Sequence, residues 1–232
     1  MRFRALLIIG LLAVGGCGVG FEVRVQGQPQ DGPMTAAPPH RETATPEPAA
    51  PRHQVQVRLF VADKYHTSAL LESNTRMDGI HDAATARSAW QDPALATDPA
   101  AQRHAADTMN CFQDNPIRGQ DDPKLPLAAC APDFKVAVLA PTLLTADQLA
   151  GVTYGVSDDP DQGGTVWLTL TPAGGRIVAE MAPKNNDVLL ALLLDGQVVS
   201  SLTVTPTLSG TLAFRFPTTS EAGQAARALV NH

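Results

Sequence analysis

The sequence predicts an α+β fold, in which a small antiparallel or mixed sheet carries two helices packed on one face. Three observations in the last hundred residues predict it. Short runs alternate apolar and polar residues with the period of a strand, as in Val166-Trp167-Leu168-Thr169-Leu170. Asp195-Gly196 lies between two apolar runs, the strongest short-range signal of a hairpin. Two stretches open on a capping residue and continue with apolar positions at helical spacing, one after Thr171-Pro172 and one at Thr218-Thr219-Ser220-Glu221.

The chain opens on Met1-Arg2-Phe3-Arg4, a basic start, followed by an apolar run from Ala5 to Val14 and then Gly15-Gly16-Cys17. A basic start, a short apolar stretch and small residues make a secretory signal peptide. The run is short of the roughly 20 residues that cross a bilayer. Val14-Gly15-Gly16-Cys17 resembles the lipobox of bacterial lipoproteins. That resemblance implies a signal over residues 1–16, cleavage before Cys17, and a diacylglyceryl group on its sulfur. The protein would then be held on the extracytoplasmic side of the cell membrane. The alternative is a plain secretory signal in which the cysteine has no role. Residues 17–53 hold Pro29, Pro33, Pro38, Pro39, Pro46, Pro48 and Pro51 among small and polar residues, and are expected to be a disordered tether. A coil of that length spans about 30 Å on average.

Val55 to Val61 alternates and starts the folded part, with Val55, Val57, Leu59 and Val61 on one face. Residues 62–97 are polar, Ala-rich and weakly periodic, with at most a short helix near Thr67 to Glu72. Asp98-Pro99 reads as a cap and first turn, and Ala101, Ala105 and Met109 share the face of a helix ending near Cys111. The stretch between Cys111 and Cys130 contains Asn115-Pro116, Asp122-Pro123 and Leu125-Pro126 and reads as a loop. Residues 54–134 are therefore expected to form a loosely defined first part, and residues 135–232 the well-defined one. In the latter, strands are expected at Lys135 to Leu139, Val152 to Val156, Val166 to Leu170, Val188 to Leu194, Val198 to Val204 and Thr211 to Phe216. Helices are expected after Thr171 and after Thr218. Trp167, in an alternating strand, is expected to pack under a helix or the cysteine loop.

The chain has 44% hydrophobic residues, a net charge of −6 and no cluster of Lys or Arg, so nucleic acid is excluded as a partner. Three cysteines are present. With Cys17 lipidated, Cys111 and Cys130 remain as a pair. An even pair in an exported chain reads as a disulfide, worth about 3 kcal/mol for a loop of that length, with two free thiols as the alternative. The histidines at 40, 53, 66, 81, 104 and 232 have no metal-ligand spacing. No Gly-x-Ser-x-Gly elbow or phosphate loop occurs. Asp158, Asp159 and Asp161 read as a solvated turn rather than a calcium loop. No catalytic set, cofactor or metal site is expected, and Asp195 and Gly196 have a structural role in the hairpin turn.

The order of elements from Val166 to Met181, the run Leu189-Leu190-Ala191-Leu192-Leu193-Leu194-Asp195-Gly196-Gln197-Val198-Val199-Ser200, the entry Leu208-Ser209-Gly210-Thr211 and the final helix from Thr219 to Leu229 resemble the head of the first periplasmic loop of SecD and SecDF. Upstream, Cys111, Asn115-Pro116 and Cys130 are similar to loops of that family that carry a cysteine pair before the head. This sequence departs from the pattern where Ser201-Leu202 replaces Ala-Pro and where Ser209-Gly210 replaces a double glycine. The resemblance implies the head fold and a polypeptide-handling surface. With no counterpart of the family's membrane helices, it does not imply proton-driven work. The functional expectation is a non-enzymatic, lipid-anchored interaction module that meets exported polypeptides or Sec and envelope proteins. The competing expectation is an envelope enzyme or small-ligand-binding lipoprotein that reuses the fold. Its groups would come from Asp63, His66, Asp78, His81 and Asp82.

Overall fold

The strand Val55–Phe60 (β2) lies in the middle of a sheet, paired with Lys135–Thr145 (β5) on one side and Leu189–Leu194 (β8) on the other. In the computed structural model, which describes residues 40–46, 52–61, 66–67, 79–156 and 163–231, two sheets form. Every pairing between described strands is antiparallel. The larger sheet runs His66–Thr67 (β3), β5, β2, β8 and Gln197–Thr203 (β9), with Leu127–Ala131 (β4) also on β5. The smaller runs His40–Thr43 (β1), Leu149–Val156 (β6), Gly164–Leu170 (β7) and Thr211–Phe216 (β10). The helices are Ala83–Trp90 (α1), Pro99–Thr108 (α2), Pro172–Met181 (α3) and Thr219–Val230 (α4). The α+β class holds, with the strands divided between two sheets.

The apolar run of β8 is continuous because both faces of its sheet are buried. Leu190 and Leu192 join a first core with Val57 and Leu144, with Val166, Leu168, Leu212 and Phe214 of the smaller sheet, and with Val178, Ala226 and Leu229 of α3 and α4. Ala191 and Leu193 point the other way, into a second core with Phe60, Leu139 and Val198 and with Trp90, Ala105 and Met109 of the α1–α2 region. The start of α4 is pressed onto β7. A Cβ on Gly164 would stand 2.5 Å from the Ala222 Cβ and 2.9 Å from the Thr219 Cα, so only glycine fits. The cap expected at Thr218 forms in both directions with Glu221.

Several expectations need correction. Residues 40–43 of the expected disordered tether form β1, which supplies an edge to β6. All four of its side chains are exposed, so neither hydrophobic pattern nor composition marks it. The boundary expected at 134/135 cuts through one sheet, because β2 lies before it and both strands that β2 pairs with, β5 and β8, lie after it. The stretch expected to be a loop between the cysteines ends in β4, whose Leu-Ala-Ala-Cys-Ala has little β propensity and is held by burial against β5. α1 was not expected either; Asp82 caps it by accepting from the Thr85 N–H at 2.8 Å. Trp167 packs under neither a helix nor the cysteine loop. It is half-buried, and the Arg41 guanidinium of β1 lies 3.9 Å from its ring centre. The short helix expected near Thr67 to Glu72 and the Asp158–Asp161 turn fall outside the described residues, Thr67 excepted, which lies in β3.

Candidate functional site

The β8–β9 turn joins three segments. Asp195 and Gly196 have φ of 51° and 75°, the left-handed conformation a two-residue hairpin requires. The Asp195 Oδ1 accepts from the Gln54 N–H at 2.8 Å. Its Oδ2 lies 2.9 Å from the His53 Nδ1 and 3.6 Å from the Arg118 guanidinium. Its backbone N–H donates to the Gln54 carbonyl at 2.9 Å, and its carbonyl accepts from the Gly119 N–H at 3.2 Å. Burial alone would raise the Asp195 pKa. The hydrogen bonds from His53 and Gln54 and the charge of Arg118 outweigh it, and the carboxyl is held below its ordinary range.

Below the turn lies a buried polar network. Alternation leaves Gln56 and Arg58 opposite Val55, Val57 and Leu59, and that face is buried as well. Arg58 is fully enclosed. It donates to the Asp121 Oδ2 at 2.8 Å, the Gln56 Oε1 at 2.6 Å and the Leu125 carbonyl at 2.7 Å. Gln56 donates to the same Asp121 oxygen at 2.9 Å. Burial lowers the Arg58 pKa, and the Asp121 charge and hydrogen bond oppose that shift. Asp122 and Gln91 add two bonds of 3.2 Å. The network pins residues 121–125 of the cysteine loop to β2 and to the residue after α1.

The third feature is apolar. Cys111 and Cys130 are joined, with Cα atoms 5.5 Å apart. Next to them Phe112 and Phe134 stack in the open, rings 4.2 Å apart and 20° from parallel, at 63% and 47% exposure. Phe134 has φ of 57°, a strained conformation for an aromatic residue. A hollow of about 330 Å³ runs from Phe134 and the disulfide to Val199. A second, of about 360 Å³, runs from Val199 past Leu194, Phe216 and Pro217 to Ala225 and Ala228 of α4. Pro132 and Val199 line both, so the two form one apolar path. Glu221 is the one ionisable side chain lining the second hollow, and it closes the cap of α4. This path can hold apolar side chains by contact.

Cys17 lies outside the described residues, as do Asp63 and Asp78. His81 is exposed and Asp82 is committed to capping α1. Among the described residues, no group of three or more His, Cys, Asp or Glu stands close enough to hold a metal ion. Nor is any described helix long and apolar enough to cross a membrane. Sequence reasoning missed the two phenylalanines. Their signal was one aromatic residue shortly after each cysteine of the pair.

Comparison with known proteins adds a relationship for part of the chain. Protein translocase subunit SecD of Mycobacterium tuberculosis, in strains CDC 1551/Oshkosh and ATCC 25618/H37Rv, is 35% identical over 101 residues. Part of this chain is homologous to SecD. The match takes in 43% of this chain but 18% of the SecD chain, so the chain spans under a fifth of these relatives. Two solved structures are similar at 19% identity and a TM-score of 0.41 over 78% of this chain. One is SecDF in a super-membrane-facing form, of which 19% is covered. The other is described as SecDF, a membrane component that enhances protein export, of which 63% is covered. No family model matches the sequence.

Proposed function

We propose that this protein is a non-enzymatic interaction module accessory to protein export, working on the extracytoplasmic side of the membrane from a lipid anchor on Cys17. The homology to SecD, a protein translocase subunit, carries this reading. The apolar path from Phe134 to Ala228 supports it, because polypeptide with apolar side chains fits an open groove of this kind. Its partners are exported polypeptides, with Sec or envelope proteins as docking sites. The test is a photo-crosslinking residue placed at Ala228, with adducts from living cells identified by mass spectrometry. Exported chains or Sec components are expected. Recovery of unrelated wall proteins alone would leave the fold as a reused docking scaffold and end the export reading. A Cys17→Ala variant that still incorporates a clickable fatty acid would remove the anchor.

A further inference from the structure

We propose that the Cys111–Cys130 disulfide sets the apolar path in its binding form, and that reduction switches off one end of it while the fold stays intact. This rests on the polypeptide-binding reading above. Both cysteines are half-buried and line the hollow shared with Phe134 and Val199. Phe112 is the next residue after Cys111, and its ring contact with Phe134 forms directly beside the bond.

The cysteine loop is held at two levels. From Ile117 onward it is fixed without the disulfide. Ile117 is buried, Gly119 donates to Asp195, Asp121 binds Arg58, Asp122 binds Gln91, and β4 pairs with β5 along its length. Upstream, Met109 is buried at the end of α2. Between these anchors Phe112, Gln113 and Asp114 are exposed. A local turn at Asn110, the packing of Asn110 and Gln113 against Gly79, the disulfide and the Phe112–Phe134 stack hold this piece. Breaking the bond therefore releases residues 110–114 selectively, and Phe112 swings away from Phe134.

The chemistry is thiol–disulfide exchange with a dithiol. A thiolate of the reductant attacks one sulfur and forms a mixed disulfide as the other cysteine leaves as thiolate. The reductant's second thiolate then displaces the first cysteine. Two electrons and two protons pass to Cys111 and Cys130, and the reductant closes to its own disulfide.

The experiment compares the full chain, oxidised and reduced with excess dithiothreitol. Far-UV circular dichroism reads the fold, NMR contacts between the Phe112 and Phe134 rings read the stack, and a fluorescein-labelled Leu/Ala/Ser peptide reads binding. Reduction is expected to leave the circular dichroism unchanged, abolish the ring contacts and weaken peptide binding about tenfold, the loss of one aromatic anchor. Phe134→Ala should weaken the oxidised protein equally, with no further loss on reduction. Equal affinity in both redox states, with Phe134→Ala still weakening it, would overturn the switch and leave the docking surface standing. Retained ring contacts after reduction, or unfolding of the whole chain, would overturn it as well. Absence of peptide binding to the oxidised protein would sink the docking reading and the switch with it.

Discussion

Arg58 is a charge with no route to water, and its cost is met by one carboxylate and several carbonyl-type acceptors. Such a pair adds little net stability compared with an apolar pair of the same shape, but removing one partner strands the other. Arg58→Ala is therefore expected to lower unfolding free energy by about 3–5 kcal/mol in urea denaturation. A loss below about 1 kcal/mol would mean that Asp121 reaches solvent once unpaired. Asp195 makes a different prediction. Its folded pKa lies below that of the unfolded chain, so its contribution is present above about pH 4 and is lost as pH falls through the folded value. Asp195→Asn keeps the left-handed turn, which asparagine tolerates. The stability of the variant should fall less steeply on acidification, as read by thermal midpoints across an acid series. An unchanged acid limb would mean that other carboxylates set it.

At the scale of elements, α4 shows how close contact replaces a large side chain. Its first turn rests on the bare backbone at Gly164, so Gly164→Ala should cost about 1–3 kcal/mol by overpacking, while Gly163→Ala, one residue earlier in open contact, should cost much less. Similar losses at both sites in thermal denaturation would mean that α4 shifts easily on β7. The elements legible in the sequence are those whose signals are local. The Thr171 and Thr218 caps, the Asp195-Gly196 turn and the alternating β7 and β10 each carry their information within a few residues. β1 and β4 did not, because their pairing depends on β6 and β5, and one is fully exposed while the other is mostly alanine. The candidate site was legible in the same proportion. The turn and the cysteine pair could be read directly. The Arg58–Asp121 contact spans 63 positions and is created by the fold. Arg58 in an alternating strand looks like a solvent-facing residue until the second core covers it.

On the scale of the whole molecule, the two cores share one sheet, and this makes a prediction about cooperativity. Leu192 and Leu193 are successive residues of β8 that face opposite cores. Neither core can loosen without disturbing the strand that the other is built on, so the folded part should unfold in one transition rather than two. The chain's two tryptophans report on the two sides. Trp90 is buried in the second core, with its indole N–H donating to the Thr108 hydroxyl at 3.2 Å, and Trp167 lies on the smaller sheet beneath Arg41. Single-tryptophan variants, Trp90→Phe and Trp167→Phe, followed by fluorescence in urea, should give the same midpoint as circular dichroism measured on each variant. Leu192→Ala and Leu193→Ala should each lower that shared midpoint, costing about 2–5 kcal/mol, because each opens a cavity in a fully enclosed site. If the Trp90 signal melted first and Leu193→Ala widened the gap while Leu192→Ala did not, the second core would be a separately unfolding unit. The cysteine loop would then open independently of the sheets, through the network that now pins Asp121, Asp122 and Leu125 to β2.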